Sequence, residues 1–398
     1  MTVAERQPAA PTPTHEELIA RACAILPTVR QNSAQGEQQR RIVEESIQAM
    51  ENAGLFKIAV PRRYGGYETS LKTMLEVSSV IAEGDGGTAW VLALTNVCNW
   101  LTGLFSERVQ DQVFRQPNVK VTGVLTPTAS TRKVEGSYRV TGRWGDNSGS
   151  LHADWAFLGI PVVDEAGNVV DQGAALIPRA DLTLEDTWFV SGMRGSGSNT
   201  VVAEDVFVAD ERVLSVPGLM MGRAPSEHLA DEPLYRSSLI PVLALILVGP
   251  QLGMGRAALE YVREKAHKKA IAYTFFAQQA KSTAFGPGGH DDRHRAPARL
   301  PRRAGHRRCG AARGDAGPRD PRARIRADTG WAAEHITRAI DLLMSAHGSG
   351  GFAEVSPLQR LWRDSAIAAR HAIVMPIVGY EIYGKALLGV EEQITPLV

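Results

Sequence analysis

The chain has 398 residues, of which 44% are hydrophobic and 22% charged, so it is long enough for two or three ordinary domains with a sizeable core. Its 44 basic and 43 acidic residues give a formal net charge of +1, which excludes a strong overall field that would attract nucleic acid or an anionic membrane. The three cysteines, Cys23, Cys98 and Cys309, lie far apart and predict a reducing compartment rather than a disulfide framework.

The N-terminal segment is polar and rich in proline, and it lacks the apolar stretch of a signal peptide. We expect residues 1–13 to be disordered. The longest apolar run, residues 239–250, is shorter than the ~20 residues that a membrane-spanning helix needs. These features predict a soluble, cytoplasmic protein that binds neither a membrane nor nucleic acid.

Residues 14–117 carry a helical pattern and predict an N-terminal helical domain. Met74, Val77 and Ile81 recur at the spacing of one helix face. An earlier helix is expected to end at Gly54, because glycine readily takes the left-handed conformation that follows many helices.

Residues 118–216 follow a different pattern, in which short β-branched runs alternate with turn residues such as those at 165–168. This length and pattern predict a small β-sandwich or barrel. Residues 217–398 return to a helical pattern and predict a C-terminal bundle, with a kink or break at Pro376. The predicted fold class is therefore α+β, in the order all-α, all-β, all-α.

Residues 286–328 interrupt the helical pattern of the C-terminal region. They contain 12 arginines and five aspartates, while Leu300 and Ile325 are their only large apolar residues. Apolar burial on this scale cannot offset the conformational entropy that ordering the segment would cost.

Three explanations compete for this anomalous stretch. It resembles an arginine-rich nucleic-acid arm, and the spacing of His290, His294, His306 and Cys309 is roughly that of zinc ligands. The third explanation is a reading-frame error, because shifted GC-rich codons yield mainly Arg, Ala, Gly and Pro. We favour the third, since the helical pattern resumes near Asp328. It predicts a disordered or irregular segment with no metal site.

Motif searching gives no chemistry by itself. The chain contains no dinucleotide-binding or P-loop glycine motif, no HExxH, no GxSxG and no CxxC. The Gly-Ser run at 195–198 lies between predicted strands, so its spacing makes it a poor phosphate cradle.

Four segments resemble the acyl-CoA dehydrogenase fold family, and in particular its flavin-dependent monooxygenase branch. The segments are residues 58–66, 140–150, 186–199 and 357–364. The resemblance covers residues 15–285 and 328–395 approximately, and it implies a helical N-terminal domain, a central β-domain, a C-terminal helical bundle and a homotetramer.

The resemblance implies the oxygenase component of a two-component monooxygenase. Such an enzyme hydroxylates an aromatic substrate, phenolic or polyketide-like, with O2 and a reduced flavin (FMNH2 or FADH2) that a separate NAD(P)H:flavin reductase supplies. The alternatives are an FAD-dependent acyl-CoA dehydrogenase and an inactive binding or assembly subunit. Those dehydrogenases often carry a catalytic glutamate where His371 lies here, which counts against dehydrogenase activity.

The resemblance also implies site residues. His371 would deprotonate the substrate phenol, and Ser148 would hydrogen-bond the flavin near N5 and hold its oxygen adduct. Trp144 would flank the flavin ring. The remaining predicted flavin contacts are Thr126, Thr128, Ser130 and Arg194. Each of four of these residues could instead have an ordinary structural role. His371 would then be a packed helix histidine and Ser148 a turn-forming serine. Trp144 would be a core tryptophan, and Arg194 would form a surface ion pair.

Overall fold

The computed structural model describes residues 12–266 and 321–395. In these residues, helices precede and follow a central β-domain. The helices of the N-terminal region are α1 (His15–Gln39), α2 (Glu44–Asn52), α3 (Leu71–Ala82), α4 (Gly86–Thr102) and α5 (Glu107–Phe114). The strands are β1 (Val121–Val124), β2 (Ala129–Val134), β3 (Ser137–Asn147), β4 (Trp155–Val163), β5 (Val169–Pro178), β6 (Thr183–Glu185), β7 (Asn199–Ala209) and β8 (Val213–Ser215). The later helices are α6 (Val216–Met220), α7 (Leu239–Ala266), α8 (Pro321–His347), α9 (Pro357–Ala368) and α10 (Pro376–Leu388).

The β-domain consists of two four-stranded sheets. One sheet has the strand order β1-β4-β5-β8 and the other β2-β3-β7-β6. Strand β1 runs parallel to β4, whereas the other described pairings are antiparallel. Apolar side chains from both sheets, among them Trp144, Leu158, Ile177 and Val201, form one core between them. The predicted α+β class with a central β-sandwich is confirmed.

Helix α7 crosses α3 at two glycines spaced four residues apart. A Cβ atom at Gly253 would lie 2.0 Å from the Ser79 carbonyl oxygen, and one at Gly249 would lie 2.7 Å from the Leu75 carbonyl oxygen. The helices can approach this closely only because neither position carries a side chain. Among the described residues, α7 is long and apolar enough to cross a membrane by length and composition, but 61% of its most apolar window is buried inside the protein.

The helical structure is interrupted between α9 and α10, as Pro376 predicts. Met375, which precedes this proline, has an extended backbone (φ −63°, ψ 118°), the conformation that a following proline imposes. His371 lies in the break and caps a single 3-10 turn, Ala372–Val374. Helix α9 ends at Ala368, so His371 lies outside it, in the segment that joins α9 to α10.

Helix α8 begins inside the anomalous stretch. Residues 321–328 form its first two turns, with Ala323, Arg326 and Ala327 buried, so the expected irregular structure is wrong for these eight residues. Alanine and arginine are both strong helix formers, which explains how a segment so poor in apolar residues continues the helix. The rest of the anomalous stretch, with the four zinc-like positions, lies outside the described residues, as do residues 1–11.

Candidate active site

Trp90, on α4, lies between the two residues that the sequence predicts to be catalytic. Its indole Nε1 donates a hydrogen bond to Ser148 Oγ at 3.2 Å. Its ring meets the His371 imidazole edge-on, with centroids 5.7 Å apart. The fold thus brings His371 and Ser148 to one site. Sequence reasoning missed Trp90, because α4 is apolar on all sides and its residues are typical of a buried core helix.

Asp85 sets the start of α4 and hence the position of Trp90 in its second turn. The Asp85 carboxylate accepts hydrogen bonds from the main-chain nitrogen of Thr88 at 2.7 Å and from its hydroxyl at 2.8 Å. This is the usual N-cap arrangement, in which a side-chain oxygen satisfies a free N–H of the first turn.

Three buried serines form a chain of hydroxyl groups next to Trp90. Ser148 Oγ lies 2.8 Å from Ser198 Oγ, which lies 2.6 Å from Ser196 Oγ. The two loops that carry them are also joined through the backbone, because the Gly149 nitrogen donates to the Ser196 carbonyl at 2.9 Å. The Gly-Ser run at 195–198 therefore forms one wall of this site, although its spacing is poorly suited to binding a phosphate.

A count of hydrogens shows that this chain has one O–H group left to donate. Three hydroxyls carry three hydrogens, and the two links between them use two. Ser148 is 7% exposed, against 2% for Ser196 and 3% for Ser198, so it is the least buried end of the chain. The C2 and C4 carbonyl oxygens of a flavin are acceptors in both the oxidised and the reduced form, and they fit a free O–H at this position.

The main chain of Ser148 is held by Thr122 on β1. The Thr122 hydroxyl contacts both the Ser148 carbonyl, at 2.6 Å, and the side-chain oxygen of Asn147. A hydroxyl cannot donate to both, and the Asn147 amide nitrogen is buried without a partner. Rotating the Asn147 amide by half a turn resolves both conflicts, since its nitrogen then donates to Thr122 while Thr122 donates to Ser148.

His371 is uncharged at neutral pH. His371 is an exposed residue by its accessible surface, but it lies in a densely packed part of the protein, and this burial lowers the pKa of His371 to about 4, helped by the positive charge of Arg326. Its Nδ1 accepts a weak hydrogen bond of 3.3 Å from the Ile373 nitrogen. A neutral imidazole that accepts at Nδ1 carries its hydrogen on Nε2, so the free ring nitrogen of His371 is a donor.

A buried carboxyl group anchors the loop that carries Ser196 and Ser198, called the serine loop below, to α9. The Asp364 carboxylate accepts a hydrogen bond from the main-chain nitrogen of Met193, at the start of the 3-10 turn Arg194–Ser196. Gly192 packs directly on the Arg363 backbone, where a Cβ atom would lie 2.6 Å from the carbonyl carbon. Burial and the nearby charge of Asp85 raise the pKa of Asp364 to about 7.

The three predicted flavin contacts after β1 lie on the exposed surface of the β-domain. The Thr128 hydroxyl donates to the Arg143 carbonyl at 2.6 Å, and the Ser130 hydroxyl donates to the Thr141 carbonyl at 3.3 Å. Flavin binding by Thr126, Thr128 and Ser130 remains a prediction.

Trp144, which is predicted to flank the flavin ring, lies inside the β-domain. Its ring is fully buried in the core between the two sheets, and its Nε1 donates to the Gly159 carbonyl at 2.8 Å. The alternation of side chains along β3 directs this residue inward, and a flavin contact by Trp144 remains a prediction.

Arg194 connects two segments of main chain. Its guanidinium donates to the Glu37 carbonyl at 3.2 Å, at the end of α1, and to the Val190 carbonyl at 3.1 Å. This arrangement holds the serine loop against α1, and a flavin contact by Arg194 remains a prediction.

Two other features of the described residues lie apart from this site. A cavity of about 480 Å³ on the β-domain shares no residue with it and is lined by Asp181, Val206, Phe207, Ala209, Glu211 and Arg212. No group of three or more His, Cys, Asp or Glu side chains in residues 12–266 and 321–395 is arranged to hold a metal ion.

Comparison with known proteins gives the class. Residues 12–115 match the family described as acyl-CoA dehydrogenase, N-terminal domain, and residues 245–376 match acyl-CoA dehydrogenase, C-terminal domain. The chain is 33% identical over 371 residues to the flavin-dependent monooxygenase oxygenase subunit HsaA of Rhodococcus jostii strain RHA1, an alignment that covers 92% of this chain and 97% of that protein. It is 28% identical to the oxygenase component of p-hydroxyphenylacetate 3-hydroxylase from Acinetobacter baumannii, covering 92% of this chain and 88% of that protein.

A solved structure with a bound flavin is similar over nearly the whole chain. XiaF from Streptomyces sp., in complex with FADH2 and glycerol, superposes with a TM-score of 0.84 at 33% identity and covers 96% of this chain and 97% of its own. The chain therefore belongs to the acyl-CoA dehydrogenase family. Within that family it is an oxygenase component of a flavin-dependent monooxygenase, an oxidoreductase that uses reduced flavin and O2 and depends on a separate flavin reductase. The comparisons support this branch over the dehydrogenase alternative.

Proposed function

We propose that this oxygenase hydroxylates a phenolic substrate with FADH2 at the site formed by His371, Trp90 and Ser148. The observation that carries the proposal is the position of Trp90, which touches the imidazole on one side and donates to the serine hydroxyl on the other. The substrate class is supported by the p-hydroxyphenylacetate hydroxylase relative, and the choice of FADH2 over FMNH2 by the ligand of XiaF.

His371 is proposed to hold the substrate oxygen. Because its Nδ1 accepts from Ile373, it would offer the Nε2 hydrogen to that oxygen. A hydrogen bond from a neutral imidazole, together with the positive charge of Arg326, favours binding of the substrate as a phenolate, with its proton released to solvent. An electron-rich phenolate reacts more readily at its ortho and para carbons, so binding in this form would prepare the ring for oxygen transfer.

Ser148 is proposed to donate its free O–H to the flavin ring. Reduced flavin, when bound, supplies the electrons that activate O2. The buried serines and the indole of Trp90 would exclude water from this face, which matters because water promotes loss of the activated oxygen as hydrogen peroxide.

A homotetramer and a cytoplasmic location complete the proposal. Helices α8 and α10 leave large apolar side chains exposed, including Leu342 at 70%, Ile377 at 73% and Leu388 at 81%. Exposed apolar surface of this kind is typical of an interface, and a second copy of the chain is the proposed partner. The free cysteines Cys23 and Cys98 suit a reducing compartment.

Aerobic turnover tests the proposed function. The full chain is mixed with NADH, FAD and an unrelated flavin reductase, and a panel of phenols is scored for hydroxylated product and for hydrogen peroxide. We expect product from at least one phenol, and less peroxide per NADH in its presence. A matched panel of methoxybenzenes, which cannot form phenolates, should give peroxide alone.

Two results would contradict the proposal. One is peroxide formation that no phenol suppresses. The other is reduction of ferricenium by an acyl-CoA with oxidised FAD bound, which would identify a dehydrogenase.

A further inference from the structure

We propose that Trp90 and Ser198 are positioning residues that direct the hydroxyl hydrogen of Ser148 outward, toward the bound ligand. This inference rests on the proposed function, in which that ligand is the flavin. It concerns the direction of the hydrogen bonds along the chain of hydroxyls, which the distances between the oxygens leave open.

Trp90 fixes the first bond of the chain. An indole Nε1 is a donor and never an acceptor, so at 3.2 Å Ser148 Oγ must accept from it. One of the two lone pairs on Ser148 is thereby filled. The remaining lone pair and the one hydrogen of Ser148 are left for Ser198 and the ligand.

Exposure selects between the two directions of the 2.8 Å contact between Ser148 and Ser198. If Ser148 donates inward, the unused hydrogen moves to Ser198 or Ser196, which are 3% and 2% exposed. A buried donor without a partner costs about 1–3 kcal/mol. If Ser196 donates to Ser198 and Ser198 donates to Ser148, the unused hydrogen lies on Ser148, at the least buried end.

The outward direction has a chemical consequence. In it, Ser148 Oγ accepts two hydrogen bonds, from the indole and from Ser198, and hydrogen bonds in a chain polarise one another. Ser148 therefore becomes a stronger donor to an acceptor on the flavin than an isolated serine would be.

The sign of one substitution effect tests the direction. If Ser198 donates to Ser148, Ser198→Ala removes a polarising bond and should weaken FADH2 binding by about two- to tenfold. If Ser148 donates inward instead, the same substitution frees its hydrogen for the flavin and should tighten binding. Anaerobic titration of the full chain with FADH2 measures the Kd without any turnover, and tighter or unchanged binding would overturn the proposal.

The second measurement tests whether Trp90 acts through Ser148. Trp90→Phe keeps a ring against His371 but removes the Nε1 donor, so we expect a similar loss of FADH2 affinity. In a Ser148→Ala background, Trp90→Phe and Ser198→Ala should each have little further effect on the Kd. If both residues act through the Ser148 hydroxyl, their substitution has nothing left to change once that hydroxyl is gone, so the effects are not additive. A purely structural role would give the same loss in both backgrounds and would overturn the proposal.

Controls separate this inference from the proposed function. Ser198→Thr keeps the hydroxyl and should retain wild-type affinity. Ser137→Ala removes a buried serine at the other end of β3, where its hydroxyl donates to the Glu135 carbonyl, and should leave the Kd unchanged. If Ser148→Ala itself leaves the Kd unchanged, the flavin-facing role of Ser148 fails. If Ser148→Ala weakens binding while the two neighbours have no effect, only the inference fails.

Discussion

At the scale of single residues, the position of one hydrogen on His371 decides how a phenol is handled. The family resemblance suggests a general base, which needs an unprotonated ring nitrogen facing the substrate. The contact between Ile373 and Nδ1, and a pKa of about 4, favour a neutral ring that donates through Nε2. Arg326, one cause of the low pKa, belongs to the anomalous stretch, so its contribution depends on whether that stretch has its natural sequence.

Two substitutions at His371 distinguish a donor from a base. His371→Ala should lower hydroxylation under either role. If the substitution removes a hydrogen bond to a charged group, we expect a loss of at least ~10-fold. If it removes a general base, we expect a loss of ~10²–10⁴-fold. His371→Gln retains an N–H donor but cannot take up a proton. We expect Gln to recover most of the activity, measured as hydroxylated product per NADH.

A matched control is His335→Ala, since His335 is a half-buried histidine on α8 that stacks on Trp331. It should leave activity unchanged. If Gln and Ala are equally impaired at His371 while FADH2 binding is intact, the donor role is wrong and the base role stands.

At the scale of elements, three segments meet where the serine loop is anchored. Asp85 caps α4, Asp364 on α9 accepts from Met193, and a Cβ atom at Gly87 would lie 3.0 Å from the Ser196 nitrogen. Two buried carboxyl groups with raised pKa values therefore lie behind the serine loop. The serine loop, α4 and α9 should move as one unit, and its stability should depend on pH.

Asp364→Asn should remove part of that pH dependence. Because the pKa of Asp364 is raised from 3.8 to about 7 in the folded state, the folded protein holds this proton more tightly than the unfolded chain does. Stability therefore falls as pH rises from about 4 to about 7, and the loss is complete above that range. Asparagine keeps the acceptor for Met193 and carries no charge, so at pH 8 it should raise the free energy of unfolding by on the order of 1–4 kcal/mol.

Thermal unfolding at pH 4 to 9 measures this effect. The wild-type and Asp364→Asn curves should converge near pH 4 and separate as pH rises. Asp364→Ala, which loses the acceptor as well, should be destabilised throughout. Parallel curves for the wild type and Asp364→Asn would contradict the prediction.

The crossing of α7 over α3 makes a second prediction at this scale. Gly253→Ala would place a methyl group 2.0 Å from the Ser79 carbonyl oxygen, which the backbone can relieve only by moving the helices apart. We expect a loss of ~1–3 kcal/mol in urea unfolding. The matched control is Gly384→Ala on α10, where no atom lies within 4 Å of the added Cβ, and which should stabilise the protein by ~0.5–1 kcal/mol.

At the scale of the whole molecule, the anomalous stretch decides whether the chain as written assembles. A stretch of 43 residues that forms two bundle helices would normally supply about a dozen apolar side chains. The sequence of 286–328 supplies Leu300 and Ile325. Each missing large apolar side chain removes ~1.5–3 kcal/mol of burial, which together exceeds the net stability of an ordinary domain.

Resequencing the gene should reveal compensating frame changes near codons 285 and 328. The corrected chain should form a soluble tetramer by size-exclusion chromatography with light scattering, and the chain as written should aggregate or stay smaller. A confirmed reading frame with a soluble tetramer would contradict this explanation.

The sequence alone determined the order of the fold and the class of enzyme. Hydrophobic periodicity and turn residues depend on neighbours a few positions apart, so the α-β-α order, the glycine after α2 and the break at Pro376 are all visible in the chain. Short segments that resemble a family locate Ser148 and His371 in the same local way.

Only the tertiary structure decided which residues meet. Trp90 looks like a core residue of an apolar helix, and nothing near it in the chain indicates that its Nε1 reaches a serine in another domain. Trp144, in a segment that resembles the flavin-binding one, is turned into the sandwich core by the alternation of β3. Hydrogen-bond partners and burial are long-range properties, set by how the helices pack against the sheets, and local sequence patterns do not contain them.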